Sequence, residues 1–155
     1  MKIQATAVSF AMMFAANMVH AQTTKDIVGC WKLQTLVIDK AGEKLEPFGA
    51  NPIGQLTFTP DGHMSVIQMR LDLPEGSTGE PTGKIVGTFM AYFGTYEVQG
   101  KTMTLKIEGS TRSDWRNKTF NRTLESVSPT DLVWVDKPTK DMTARLSAKR
   151  CETAT

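Results

Sequence analysis

The sequence predicts an all-β protein built as an eight-stranded, up-and-down antiparallel barrel. Eight short segments are rich in β-branched and aromatic residues and are bounded by Gly, Pro, Asn and Asp. The connections between them are short, except for the one between the third and fourth segments. Closing such a series of hairpins into a barrel is the simplest way to remove both exposed sheet edges.

The first three strands follow from alternating apolar residues and from turn chemistry. The Ala41-Gly42 pair predicts a turn after the first strand, and Pro60-Asp61-Gly62 predicts a tight hairpin, because Asp-Gly suits positive φ. Strands A, B and C are therefore predicted over 28–39, 53–59 and 63–70, with a short returning stub over 43–48.

The connection between strands C and D has a different composition. Residues 71–84 hold two prolines and three glycines without an apolar period, so we expect this loop to be functional or simply the most mobile part of the fold. Ile85, Phe89 and Phe93 follow at a spacing of four residues, which predicts one or two helical turns over 85–93. This helix would act as a lid over one barrel end or as a permanent plug.

The second half of the chain predicts five further strands. Gly100 and the Ser-Pro-Thr-Asp run at 128–131 mark turns, and a polar loop over 109–117 is interrupted by Trp115. Strands D to H are predicted over 94–99, 102–108, 118–127, 132–136 and 142–150.

Residues 1–21 have the pattern of a cleavable signal peptide. Lys2 precedes an apolar run over 5–19, and Ala21 supplies a small residue for cleavage before Gln22. The alternative is a membrane anchor, but the run is shorter than the roughly 20 residues that span a bilayer. We therefore expect a protein exported to a periplasm or secreted, with residues 22–155 forming one barrel domain.

The charge pattern excludes several partner classes. The full chain has a formal net charge of +2, and its Lys and Arg residues form no stripe interleaved with aromatics, so nucleic acid is not an expected partner. No basic amphipathic helix points to a membrane surface, and we expect no stable membrane anchor. We expect a monomer.

Histidine content limits the chemistry. His20 lies in the predicted signal peptide, so His63 is the single histidine of the mature chain, and a multi-histidine zinc site is excluded. No G-x-S-x-G motif exists to pair with His63. At the start of strand C it is expected to be a solvated rim residue rather than a catalyst. We expect no metal, no cofactor and no assigned catalytic residue.

Seven segments spread over the mature chain carry a family resemblance. The most specific are those at 91–98 and 59–64; the others are Gly29-Cys30-Trp31, Met69-Arg70, Glu108-Gly109-Ser110, Trp115 and Thr143-Ala144-Arg145-Leu146. With them the chain resembles the bacterial lipocalin-like domains of the calycin superfamily. Relatives often have a histidine in strand E, where Leu105-Lys106 stands here, so no role of that histidine is carried over. The resemblance implies a small barrel with an interior.

The two ends of the mature chain are expected to meet. The resemblance implies that a basic residue of the last strand packs across Trp31, and alternation in strand H puts Arg150 on the inner, apolar face. Their neighbours Cys30 and Cys151 would then face outward on adjacent strands, at a distance that a disulfide accepts. Two free thiols are the alternative, but export favours the disulfide.

The orientation of strand F decides whether a charged side chain lies inside the barrel. Phe120, Arg122 and Leu124 share one face, and if that face is the inner one, a buried guanidinium needs an anionic partner. Glu97, Glu108 or a ligand carboxylate could serve. The alternative is the opposite facing of strand F, with Arg122 in solvent.

An eight-stranded barrel can hold one small ligand, which makes binding of a small, largely apolar molecule with an acidic head group the favoured function. We expect the ligand to contact Phe58, Met64, Phe89, Tyr92, Tyr96, Trp115 and Arg122. One alternative is a cyclase or isomerase that uses Tyr92, Tyr96, His63 or Arg122 for acid–base chemistry. Another is a protein-binding or inhibitor barrel that acts through the loop at 71–84.

Overall fold

The computed structural model describes residues 23–72 and 89–152, and in this part of the chain β-strands dominate. Besides a four-residue helix and a 3-10 turn, it holds nine strands, which confirms the all-β prediction. The elements are α1 Thr24–Ile27, β1 Gly29–Lys40, β2 Glu43–Leu45, β3 Pro52–Phe58, β4 His63–Arg70, β5 Phe89–Gln99, β6 Thr102–Ser110, the 3-10 helix Ser113–Trp115, β7 Thr119–Val127, β8 Asp131–Thr139 and β9 Met142–Arg150.

Eight of the nine strands described here close into an antiparallel barrel. Strands β3 to β9 pair in chain order, and β1 pairs with both β3 and β9. The extra strand, β2, is the predicted stub and pairs only with the end of β1. The prediction of an up-and-down barrel is therefore confirmed.

The helix predicted over 85–93 is wrong for the five residues that the structure describes. Phe89 opens strand β5, and its partner across the sheet is Met69 of β4. Phe89, Ala91 and Phe93 point outward while Met90 and Tyr92 point inward, so both faces of this strand are apolar. When both faces of a strand are apolar, apolar residues also occur four positions apart, which is the spacing expected on one face of a helix. Residues 85–88 and the predicted loop, apart from its first two residues, lie outside the described part.

The barrel has two unlike ends. The lower end, as we define it, carries α1 and the β3–β4, β5–β6 and β7–β8 turns. The upper end carries β2, the connection from β4 to β5, the 3-10 helix and the β8–β9 turn.

Most inner side chains near the lower end are packed with almost no exposed surface. Trp31, Leu56, Met103, Leu124 and Leu132 are all fully buried. Inner and adjoining side chains near the upper end retain some exposure; these are Leu36, Met90, Trp115 and Phe120. The core therefore fills the lower half of the barrel and is less complete in the upper half.

The lower end is closed by a stack of Arg150 on Trp31. The guanidinium carbon lies 3.9 Å from the centre of the Trp31 ring, within the range of a cation–π contact. Arg150 Nε donates to the Pro129 carbonyl, Nη1 to the Val28 carbonyl and Nη2 to the Asp26 carbonyl. One side chain thus joins the last strand, the N-terminal segment and the β7–β8 turn.

Gly29 is required by this stack. Its φ of +123° is rarely adopted by residues with a side chain, and a Cβ atom would lie 2.7 Å from Arg150 Nη1. The glycine and the tryptophan of the Gly29-Cys30-Trp31 segment therefore both serve the same guanidinium. The role predicted for Trp31 and Arg150 has a direct geometric basis here.

The predicted disulfide is present. Cys30 and Cys151 are bonded, with their Cα atoms 5.3 Å apart. The Cys151 amide also donates to the Cys30 carbonyl at 2.9 Å, which continues the β1–β9 pairing past Trp31 and Arg150. The bond closes a loop of 121 residues at the lower end of the barrel.

Replacing both cysteines by alanine should lower the free energy of unfolding by about 2–5 kcal/mol, since the disulfide restricts the unfolded chain. Urea denaturation of the variant and of the wild type measures the difference. Reduction of the wild-type protein with dithiothreitol should produce the same loss. Equal midpoints before and after reduction would contradict a stabilising bond.

Gly29→Ala should destabilise the fold by about 3 kcal/mol, because the new methyl group strains the backbone and displaces a guanidinium held by three carbonyls. Gly42→Ala is the matched control: its φ is +89° and no atom lies near the added Cβ. That control should cost only about 1–2 kcal/mol of backbone strain. Thermal unfolding of both variants makes the comparison, and equal losses would show that Arg150 is not displaced.

Candidate functional site

Four polar side chains lie on the inner face of the barrel above the apolar core. We call them the interior polar cluster; its members are Gln68, Tyr92, Arg122 and Asp136. Each follows apolar inner residues at a spacing of two along its strand, which is the period that keeps side chains on one face. Four different strands thus bring polar groups into an otherwise apolar interior.

Arg122 and Asp136 form an ion pair inside the barrel. Arg122 is 6% exposed and Asp136 14%, and Nη1 of Arg122 donates to Oδ2 of Asp136. Arg122 precedes Thr123 and Asp136 follows Val135, and because Thr123 and Val135 are a registered pair, the two charged residues face each other across β7 and β8. Of the two facings that the sequence allows for strand F, the structure has the one that turns Arg122 inward. The partner is not one of the expected glutamates, since Glu97 and Glu108 are both exposed.

One N–H donor of the guanidinium makes no hydrogen bond in this ion pair. Nε of Arg122 is buried and has no hydrogen-bond partner among the described residues. A buried N–H group without a partner is costly and uncommon in a folded protein. The geometry therefore offers a donor to any acceptor oxygen that enters the barrel.

Aromatic rings surround this donor. Trp115 of the 3-10 helix lies 5.3 Å from the Tyr92 ring and 4.6 Å from the Phe120 ring, measured between ring centres. The Arg122 guanidinium lies 5.8 Å from the Trp115 ring and 5.7 Å from the Phe120 ring. Tyr92 and Arg122, two of the residues expected to contact a ligand, thus both lie against a third, Trp115.

Tyr92 adds a second polar atom with spare capacity. Burial raises the pKa of its hydroxyl, the positive charge of Arg122 lowers it and the negative charge of Asp136 raises it. No described residue hydrogen-bonds this hydroxyl. The group is therefore a protonated donor at neutral pH.

Gln68 lies beside Tyr92 on the inner face. It pairs with Met90, two residues from Tyr92 on β5, and is 3% exposed. Within the described ranges its side-chain amide makes no hydrogen bond. It can donate or accept, which adds to the adaptability of the cluster.

The remaining predicted ligand residues lie elsewhere. Phe58, Met64 and Tyr96 belong to the filled lower half, where the Phe58 ring lies 5.0 Å from Tyr96 and 6.4 Å from Trp134. The Tyr96 hydroxyl donates to the Thr59 carbonyl at 2.8 Å and so supports the β3–β4 turn. Phe89 is on the outer face of β5. The structure thus brings together only three of the seven.

His63 lies outside the barrel at the lower end. Its side chain is 62% exposed, and Nδ1 lies 3.3 Å from Oδ2 of Asp61 in the same turn. Hydrogen bonds from Thr59 and His63 lower the pKa of Asp61. In the part of the chain that the structure describes, no three His, Cys, Asp or Glu side chains are grouped as metal ligands would be.

Sequence reasoning missed Gln68 and Asp136. Alternation could have placed both inside, since Met64 and Val66 precede Gln68 and since Leu132 and Trp134 precede Asp136. The sequence predicts that strand G ends at Asp136, and local patterns do not show which residue of strand F faces that end. β8 continues to Thr139.

A closed antiparallel barrel with a filled lower end and polar groups among aromatic rings above it belongs to the class of small ligand-binding barrels. The lipocalin-like domain model matches residues 28–154, and the chain belongs to the lipocalin-like domain family. Among solved structures it is similar to one described as a redesigned beta barrel, with 15% identity and a TM-score of 0.47, covering 86% of this chain and 98% of that one. No curated protein matches the sequence.

No helix in residues 23–72 or 89–152 is long and apolar enough to cross a membrane. The disulfide is consistent with an extracellular or periplasmic protein, because such bonds persist in oxidising compartments.

Both tyrosines of the chain should titrate abnormally. Burial raises the pKa of Tyr92 and of Tyr96 above the ordinary value of 10.0. The stability that follows from these raised values is complete below pH 10.0 and is lost as the pH rises through the folded-state values. Tyrosinate absorbance should therefore show little ionisation at pH 10.0, with most of it coinciding with alkaline unfolding.

Circular dichroism at each pH identifies the unfolding step in this titration. Tyr92→Phe should leave a single tyrosine signal and should shift alkaline unfolding to higher pH. A reversible midpoint at or below 10.0 in the folded protein would contradict the burial of the hydroxyl concerned.

Proposed function

We propose that this protein binds a small, largely apolar molecule in the upper half of the barrel, with a polar head group on Arg122. The observation that carries the proposal is the unused Nε–H of a guanidinium that is 6% exposed. A ligand acceptor would satisfy this donor.

The walls around Arg122 suit an apolar body. Three aromatic rings line this space. The centre of the Trp115 ring lies 5.3 Å from that of Tyr92 and 4.6 Å from that of Phe120. Ligand sites are mostly apolar and aromatic, with a few polar groups that set orientation. The partial exposure of Trp115, Phe120 and Met90 supports access from the upper end.

Binding accounts for these residues better than catalysis. The only strongly charged groups of the interior polar cluster neutralise each other, and Tyr92 stays protonated. His63, the one mature histidine, lies at the opposite end of the barrel on the outside. These observations favour a carrier over a cyclase or isomerase.

We further propose that the protein is exported and monomeric. The pattern of residues 1–21 and the Cys30–Cys151 bond both support a periplasmic or secreted location. Binding of small apolar molecules in such a compartment agrees with membership of a lipocalin-like family.

Trp115→Ala should weaken binding of the uncharged dye N-phenylnaphthylamine about tenfold, because a bound apolar body loses its largest aromatic contact. The measurement is a fluorescence titration of the disulfide-bonded protein. Wild-type protein should bind the dye with a defined stoichiometry.

Phe93→Ala is the matched control for this test. Phe93 neighbours Tyr92 in β5 but faces outward and is 55% exposed. Its removal should leave dye affinity unchanged. If Phe93→Ala lowers the affinity for the dye and Trp115→Ala does not, the dye binds on the outer surface and the proposal is refuted.

A further inference from the structure

The charge balance of the interior polar cluster restricts the ligand. Arg122 carries one positive charge and Asp136 one negative charge, and the two are hydrogen-bonded. Among the described residues, a second arginine, Arg112, lies 5.5 Å from the Trp115 ring. It is bound to Asp114 through two hydrogen bonds, and its side chain is 41% exposed. Within residues 23–72 and 89–152, the charges around the unused Nε–H therefore balance.

We propose that the head group is uncharged when bound: a carbonyl oxygen of an ester, amide or ketone accepts the Arg122 Nε–H. This inference rests on the proposed function and names its ligand class. It replaces the acidic head group expected from the sequence, because that expectation assumed a guanidinium with no anion of its own.

A carboxylate would meet an unfavourable site. Asp136 already supplies the anion that balances Arg122, so a second carboxylate would add one uncompensated negative charge to the interior. Burying a charge without a partner costs far more than burying a hydrogen-bonded neutral group. A carbonyl oxygen gains the same N–H donor without this penalty.

The hydrogen-bonding inventory also fits a neutral acceptor. A carbonyl oxygen has two lone pairs, and the unused donors include the Nε–H of Arg122 and the hydroxyl of Tyr92. The Tyr92 ring and the Arg122 guanidinium lie 5.3 Å and 5.8 Å from the centre of the Trp115 ring, so both donors flank the same aromatic side chain. The amide of Gln68 can donate to a further ligand oxygen.

Octanoic acid and methyl octanoate provide a matched pair of probes. At neutral pH the acid is ionised in water and the ester is uncharged. Each is used to displace N-phenylnaphthylamine from disulfide-bonded wild-type protein. The ester should compete about tenfold more strongly than the acid, because only the acid adds an unbalanced charge.

Asp136→Asn should abolish this preference. With the anion removed, Arg122 keeps a net positive charge, and acid affinity should rise about tenfold while ester affinity changes little. Asp141→Asn makes the same change in net charge at an exposed turn, and it should keep the wild-type preference.

The outcomes separate the two proposals. If the acid competes more strongly than the ester in the wild type, the neutral head group is refuted while ligand binding stands; this comparison needs no variant. If the dye binds but Asp136→Asn and Asp141→Asn raise acid affinity equally, the site near Asp136 is not the head-group site. If neither probe nor dye binds inside the barrel, the proposed function itself fails.

Discussion

The stacking of Arg150 on Trp31 is the contact on which the lower end of the barrel depends. The guanidinium is held at once by the ring, 3.9 Å away, and by carbonyls of the N-terminal segment and of the β7–β8 turn. Trp31 in turn donates its indole N–H to the Ile27 carbonyl at 2.7 Å. Three segments that are distant in the chain thus share one cation, and Gly29 leaves room for it.

Closure of the lower end determines where a ligand can be held. Because the side chains around Trp31 leave no exposed surface, the lower half is a conventional core that contributes stability. Residues of the upper half contribute less to packing, and there the chain tolerates groups such as Gln68 and Arg122. Polar groups in an interior lower stability unless they are satisfied, which is why Arg122 is paired with Asp136.

The barrel was predictable from local patterns, whereas the Trp31–Arg150 contact and the disulfide were predictable because the family resemblance and the alternation of strand H place Arg150 across Trp31. Turn residues and two-residue alternation fix the strands, and the closure follows once the first and last strands are adjacent. The helix expected over 85–93 failed because Phe89 and Phe93 face outward where alternation would place polar residues. Periodicity cannot distinguish a strand with two apolar faces from a helix, and only pairing with β4 decides it.

Local sequence patterns could not identify Asp136 as the partner of Arg122, and the reason is different. A cross-strand pair depends on register, and register in this barrel shifts at bulges, including one in β7 between Leu124 and Ser126. Asp136 meets Arg122 only with that shift included. The consequence is functional: a barrel that carries its own counterion for its buried cation differs from one whose cation awaits an anionic ligand. The same inward arginine can therefore serve opposite selectivities, and the aspartate across the strand decides between them.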